Sequence, residues 1–354
     1  MKLLLPILLL FTAASGQWEK LPVPIDVSLR GLSAVNENII WASGASGTII
    51  RTIDGGKNWS VMIVPGAEKQ DFRGIRAFDD KTAVIMSSGK AEDGQARIYR
   101  TADGGKSWTQ VYEQKTPGIF FDAIAFWDRK HGIVLSDPIV PSDASSDAKE
   151  SRFALFKTDD GGATWKQVPP AALPPALPNE GGFAASNSCL VVQGNQNVWF
   201  ATGGATVARV FRSSDQGQTW SVADTPMHPA NASSGVFSLA FHDAKNGIAV
   251  GGDYAHPESS GLPSVLITSD GGKTWRSGAP TIPAGMYLSS VAYAPHSRAG
   301  SMVAAGIKGL VLASADGTWA KESDENLNAV AYAGPGVIWA VGSKGIVLRK
   351  KEKN

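Results

Sequence analysis

One cysteine, Cys189, stands in 354 residues, so no internal disulfide can staple this chain and its stability has to come from burial in a long chain. Cys189 itself falls in an apolar strand pattern and reads as a small core residue. Charge of one sign is also missing. The 33 Lys and Arg residues, less Lys2 of the leader described below, leave 32 against 32 Asp and Glu, which argues against a polyanion such as nucleic acid as a partner held by bulk charge. No segment approaches the ~20 consecutive apolar residues that a membrane-spanning helix requires. There is no Gly-x-Gly-x-x-Gly turn between a strand and a helix, no Cys-x-x-Cys and no haem-attachment signature, so no bound cofactor is expected. The acidic stretch around Asp143, Asp147 and Glu150 lacks the ordered oxygen-ligand spacing of a calcium loop, and no metal is expected either.

The start of the chain carries a compartment signal. Lys2 precedes an apolar run from Leu3 to Phe11, and the small residues Ala13, Ala14, Ser15 and Gly16 follow. That order is that of a cleaved secretory signal peptide over residues 1–16, with residues 17–354 as the mature domain, and the expected location is periplasmic or secreted. No lipid anchor of the bacterial lipoprotein type is expected, because no cysteine directly follows the apolar run.

A repeat organises the rest. Ser/Thr-x-Asp-x-Gly-x-x-Trp occurs five times intact, around Asp54, Asp103, Asp160, Asp215 and Asp270, and a sixth copy around Asp316 is two residues short. Successive aspartates lie 49, 57, 55, 55 and 46 residues apart, the length of one four-stranded blade with variable loops. An Asp carboxylate in such a turn accepts backbone N–H groups, Gly supplies a backbone angle that a Cβ forbids, and Trp packs the hairpin onto its sheet. The aspartates are therefore expected to be structural, since copies spread around a ring cannot converge on one reaction centre.

Apolar runs between the boxes read as second strands, from Ile39 to Ala42 through Val337 to Val341, and there are seven of them for six boxes. The surplus resolves if residues 17 to 24 supply the outer strand of the blade that carries Gly345 to Arg349. The expectation is an all-β, seven-bladed β-propeller of four-stranded antiparallel blades in a single domain, its ring closed by the N-terminal strand.

These boxes resemble those of the Asp-box (BNR) superfamily, over essentially the whole mature chain. The Asp-Gly-Gly-Lys-x-Trp form, seven units, a signal peptide and few cysteines are most similar to the photosystem II assembly and stability factor group of exported propellers, and more distantly to sialidases. The first resemblance implies a non-catalytic scaffold that binds a protein or a cofactor-bearing complex. The second implies a glycan-acting hydrolase with a Tyr nucleophile, a carboxylate pair and an arginine triad. The early Arg-Ile-Pro motif of sialidases is absent, and only Tyr254 and Tyr287 stand where a nucleophile could.

With each box between third and fourth strands, every long insertion falls on the opposite face: 87–96, 136–152, 167–186, 223–234 and 251–264. Binding residues concentrate on such loops. Aligning the innermost strands places Arg30, Arg73, Asp122, Ser188, Phe237, Ser289 and Asn328 at the channel mouth on that face. Arg30, Arg73, Arg76 and Asp122 are the candidate partner-binding cluster, which Asp137, Asp253, Tyr254 and His256 could join from the insertions.

Overall fold

The computed structural model describes residues 17–140, 150–229, 231–258, 264–278, 282, 286–295, 301–313 and 317–351. The signal-peptide residues, Asp143, Asp147 and the box residue Asp316 lie outside them. The strands form seven four-stranded antiparallel sheets, as the repeat requires. Blades 1 to 6 cover 29–63, 72–113, 121–167, 190–224, 234–277 and 290–323, and blade 7 joins 327–351 to Trp18–Lys20. Short 3-10 turns are the only helical elements among the described residues, and no helix there is long and apolar enough to cross a membrane.

Second strands are buried on both faces, as in Ile40–Gly44 and Ala83–Ser87, because neighbouring blades cover them from both sides. The core is accordingly a ring of apolar clusters between blades. Phe126 of blade 3, for example, packs edge-on against Phe78 of blade 2 at 5.1 Å and against Trp165 at 5.9 Å.

The Asp box shows its physics best in blade 3. Asp160 Oδ1 accepts the Thr158 hydroxyl at 2.8 Å and the Thr164 N–H at 2.9 Å, and Oδ2 accepts the Thr164 hydroxyl at 2.7 Å. Thr158 Oγ1 in turn accepts the Gly162 N–H at 2.9 Å. Gly162 has φ of +84°, where a Cβ would press on Val84 of the preceding blade at 3.1 Å. Desolvation is the largest single influence on the Asp160 carboxylate and raises its pKa, but the Thr164 hydroxyl and N–H, the Thr158 hydroxyl and the Ala163 N–H together outweigh it and bring the pKa down to about 2. A depressed carboxylate contributes stability that is complete above its unfolded pKa of roughly 4 and is lost as pH falls through the folded value. Asp160→Ala is expected to destabilise the fold by roughly 1–2 kcal/mol at neutral pH through the lost turn bonds. Urea melts at pH 7 and at pH 2.5 test this: the gap between variant and parent should narrow at the lower pH, and an equal gap at both would remove the carboxylate from the explanation.

Ring closure follows the strand count, over a shorter stretch than residues 17 to 24. Trp18, Glu19 and Lys20 pair with Lys350, Arg349 and Leu348, and the Leu21 N–H still reaches Val347 O at 2.9 Å. Pro22 and Pro24 have no N–H to donate, so the ladder stops there.

Candidate functional site

The innermost strands share an irregularity at the insertion-bearing end. The ladder between first and second strand slips between Leu29 and Gly31, Phe72 and Gly74, Phe121 and Ala123, Val236 and Ser238, and Leu327 and Ala329. The residue left over at each β-bulge is Arg30, Arg73, Asp122, Phe237 or Asn328. A bulged residue is released from ladder pairing and its side chain is re-aimed. All five line one cavity of about 530 Å³ at the channel mouth. The small residues that follow them, Gly31 and Gly74 among them, are needed by close packing: a Cβ on Gly31 would lie 2.3 Å from Ser43 Oγ, and one on Gly74 2.9 Å from Ile124 of the next blade.

The channel is not an open bore at this end, because the end of the 167–186 insertion crosses it. Arg73 Nη1 donates to Ala184 O at 3.2 Å, and Arg30 Nη1 lies 3.4 Å from Ala185 O. Ser186 Oγ donates to Ser289 O of the strand entry to blade 6 at 2.6 Å. Asn187 accepts the Ile124 N–H at 2.8 Å and donates to Ile124 O at 3.1 Å, while Ser188 Oγ meets Ser238 Oγ of blade 5 at 2.7 Å. The crossing segment is thus tied to blades 1, 2, 3, 5 and 6, and it is the floor of the mouth cavity. Phe183 in it stacks on Phe237 at 3.8 Å between ring centres, with Tyr254 edge-on to both and Tyr287 edge-on to Phe237.

The predicted residues separate on this frame. Arg30, Arg73, Asp122, Asp137 and Tyr254 line the same cavity. Arg76 does not: it sits three residues farther along its strand, ~10 Å from Arg73 at strand rise, with its guanidinium over the Phe78 ring at 5.9 Å. It is reached by solvent yet enclosed by the surrounding blades, and that burial lowers its pKa. Asp253 is also withdrawn, being 6% exposed and occupied with its own loop. It accepts the Ser233 hydroxyl at 2.6 Å, the Asn231 amide at 2.8 Å and the backbone N–H groups of Ala255 and His256, with His256 Nδ1 at 3.1 Å. Its work is to hold the loop that presents Tyr254, and His256 is a tether of that loop. Phe120, Phe183, Tyr287, Ile307 and the floor glycine Gly182 complete the cavity without having been candidates for partner binding. The only signal for the floor was Gly181-Gly182-Phe183 closing a Pro-rich insertion.

Electrostatically the mouth is unequal. Arg73 Nε is paired with Asp71 at 2.7 Å. Burial and the neighbouring Arg73 charge lower the Arg30 pKa, with Asp71 and Tyr287 opposing. Asp122 is 1% exposed, its Oδ2 has no hydrogen-bond partner, and burial followed by the Asp137 charge pushes its pKa well above the carboxylate range. Burial raises Asp137 to about 6 against the pull of the Gly182 N–H, which bonds Oδ1 at 2.9 Å. Burial also raises the Tyr287 phenol, the reverse of what an activated nucleophile needs. Among the described residues no cluster of three His, Cys, Asp or Glu side chains is placed to hold a metal ion. Guanidinium donors beside an aromatic wall suit an anionic group carried on an apolar body.

Fold and cavity together define a seven-bladed Asp-box propeller with a walled cavity at one channel mouth. The chain resembles the photosystem II assembly factor-type propellers: the family model described as Photosynthesis system II assembly factor YCF48 matches residues 10–124. Among solved structures, YCF48 from Cyanidioschyzon merolae is 16% identical, over 96% of this chain and 100% of that one, with a TM-score of 0.65. YCF48 bound to a D1 peptide is 18% identical, over 96% and 98%, with a TM-score of 0.62. The WD40 propeller domain of Doa1 scores 0.60 at 13% identity over 97% and 98%, so likeness at this level is one of fold. No curated protein matches the chain.

Proposed function

We propose that this chain is a non-catalytic, exported binding or assembly scaffold that receives a segment of a protein, or of a protein–cofactor complex, in the channel-mouth cavity. The observation that carries this is the convergence of five bulged residues from five blades on one cavity with a fixed floor. Such a site is pre-formed, which lowers the ordering cost of binding. That a YCF48 propeller of the same fold has been solved with a D1 peptide supports a peptide as the class of ligand. Export is supported by the Lys2 to Gly16 pattern.

Capture of partners by the mature protein, read by mass spectrometry, tests the assignment. Tyr254 is 52% exposed, so Tyr254→Ala should leave the thermal midpoint unchanged while weakening capture about 10-fold, the effect of losing an aromatic anchor. Arg76→Ala is the matched control and should capture normally. Full capture by the Tyr254 variant would move the docking site away from the mouth.

A further inference from the structure

The floor glycine, Gly182, is clamped between two acids. On one side its N–H donates to Asp137 Oδ1 at 2.9 Å, and on the other a Cβ at this position would lie 2.6 Å from Asp122 Oδ2. No cation is in contact with either carboxyl among the described residues. The guanidinium that could serve, Arg73, is taken by Asp71 and by Ala184 O. Asp122 Oδ2 is buried without a donor, and burial together with the Asp137 charge outweighs the pull of the nearby Arg73 charge, so the neutral acid is favoured and its O–H can serve a bound acceptor. Facing this pair from the packed elements are Arg30, Arg73 with its partner Asp71, the buried thiol of Cys189, and the phenols of Tyr254 and Tyr287. With both acids neutral the mouth keeps a net positive charge, Arg30 and Arg73 against the single carboxylate of Asp71. Once Asp137 is ionised, that charge is offset within the same cavity.

We propose that Asp122 and Asp137 form a proton-operated selector, which admits a carboxylate carried on an apolar body while both acids are neutral and turns it away when Asp137 ionises. The carboxylate lies on the Arg30 side with the Asp122 O–H as a further donor, and the apolar body lies against Phe183 and Phe237. The inference rests on the mouth being the recognition site. It adds a proton requirement that the binding reading does not contain. The geometry supplies the mechanism and the raised Asp137 value near 6 sets the working range.

Calorimetry with 3-phenylpropionate as the probe, at pH 5.5 and 7.5 and in two buffers of different ionisation enthalpy, tests it on the intact mature protein. Affinity should fall roughly 10-fold or more over that range, with close to one proton taken up per bound probe at pH 7.5. Asp137→Asn keeps an acceptor oxygen for the Gly182 N–H and should bind at pH 7.5 as the parent does at pH 5.5. A pH-independent affinity, the absence of proton uptake, or a variant that follows the parental pH curve would each overturn the selector. So would a parent that binds no probe at either pH. In that last case, loss of partner capture by Tyr254→Ala would keep the mouth as the binding site and remove only the carboxylate selector. Normal capture by that variant would remove the mouth reading itself.

Discussion

A chain beginning at Val27 should lose on the order of 4 kcal/mol of stability, lower its thermal midpoint by roughly 6 °C and self-associate. The truncation removes Trp18–Lys20 from the edge of blade 7 and with it the ladder to 348–350. Leu21, 6% exposed and packed in the cluster that holds Leu29 and Trp339, contributes roughly 1.5–3 kcal/mol by burial alone. A second loss is electrostatic. Lys350 is 2% exposed, its ammonium 2.8 Å from Glu322 of blade 6, and the same carboxylate oxygen accepts Trp18 Nε1 at 3.1 Å. Removing Trp18 opens this pair to water and exposes the edge of Val347–Lys351 to pairing with another chain. Thermal melts and size-exclusion chromatography of the two forms measure both effects. An unchanged midpoint in a monomeric truncated protein would mean that the ring is closed by contacts other than the N-terminal strand.

Glu180→Ala should cost roughly 3–5 kcal/mol and should abolish binding at the mouth even in the molecules that fold. Glu180 is fully enclosed and anchors the crossing segment onto blade 4. Its carboxylate accepts Arg209 Nε at 2.9 Å and Arg209 Nη2, the Thr202 hydroxyl at 2.6 Å and the Leu177 N–H at 2.8 Å. Arg209 also donates to Pro175 O at 2.8 Å, so the pair is satisfied on both sides. Removing the carboxylate leaves a guanidinium buried without a counter-ion, the expensive way to break such a pair. It also frees residues 175–180, which hold Gly181 to Ala185 across the channel, and Phe183 loses its fixed place over Phe237. A combined Glu180→Leu and Arg209→Met variant should recover much of the stability, since two apolar side chains leave no charge stranded. It should not recover full binding, because the segment is no longer pinned by directed bonds. Melting and partner capture on the three proteins decide the matter: a Glu180→Ala protein with normal capture would show that the floor holds its shape without this anchor.

The site was partly legible before the fold was known. Arg30, Arg73 and Asp122 were found because the innermost strands align on one apolar position, and residues two places earlier recur at the same height in each blade. Arg76 was misplaced for a related reason. Period-2 alternation does not report a bulge, so the sequence offers no sign that Arg73 leaves the ladder while Arg76, three residues on, stays inside a regular strand. Asp253 looks in sequence like any loop acid, and only the donors gathered around it reveal that it is spent on its own turn. Phe183 had no counterpart in the repeat that could single it out.

What the amino-acid sequence determined by itself is the ring. A box every 46 to 57 residues specifies a hairpin, the hairpin specifies a blade, and a surplus second strand at the C-terminal end calls for an N-terminal partner, because each of these is a local rule repeated along the chain. What the tertiary structure alone decided is the mouth: which insertion crosses the channel, and which carboxyls it shuts away from water. Arg30, Asp122, Gly182 and Tyr254 are up to 224 residues apart in the chain. Burial and the field of neighbouring charges are properties of that assembled enclosure, so the two aspartates acquire their altered proton affinity only when the blades have closed around Gly182.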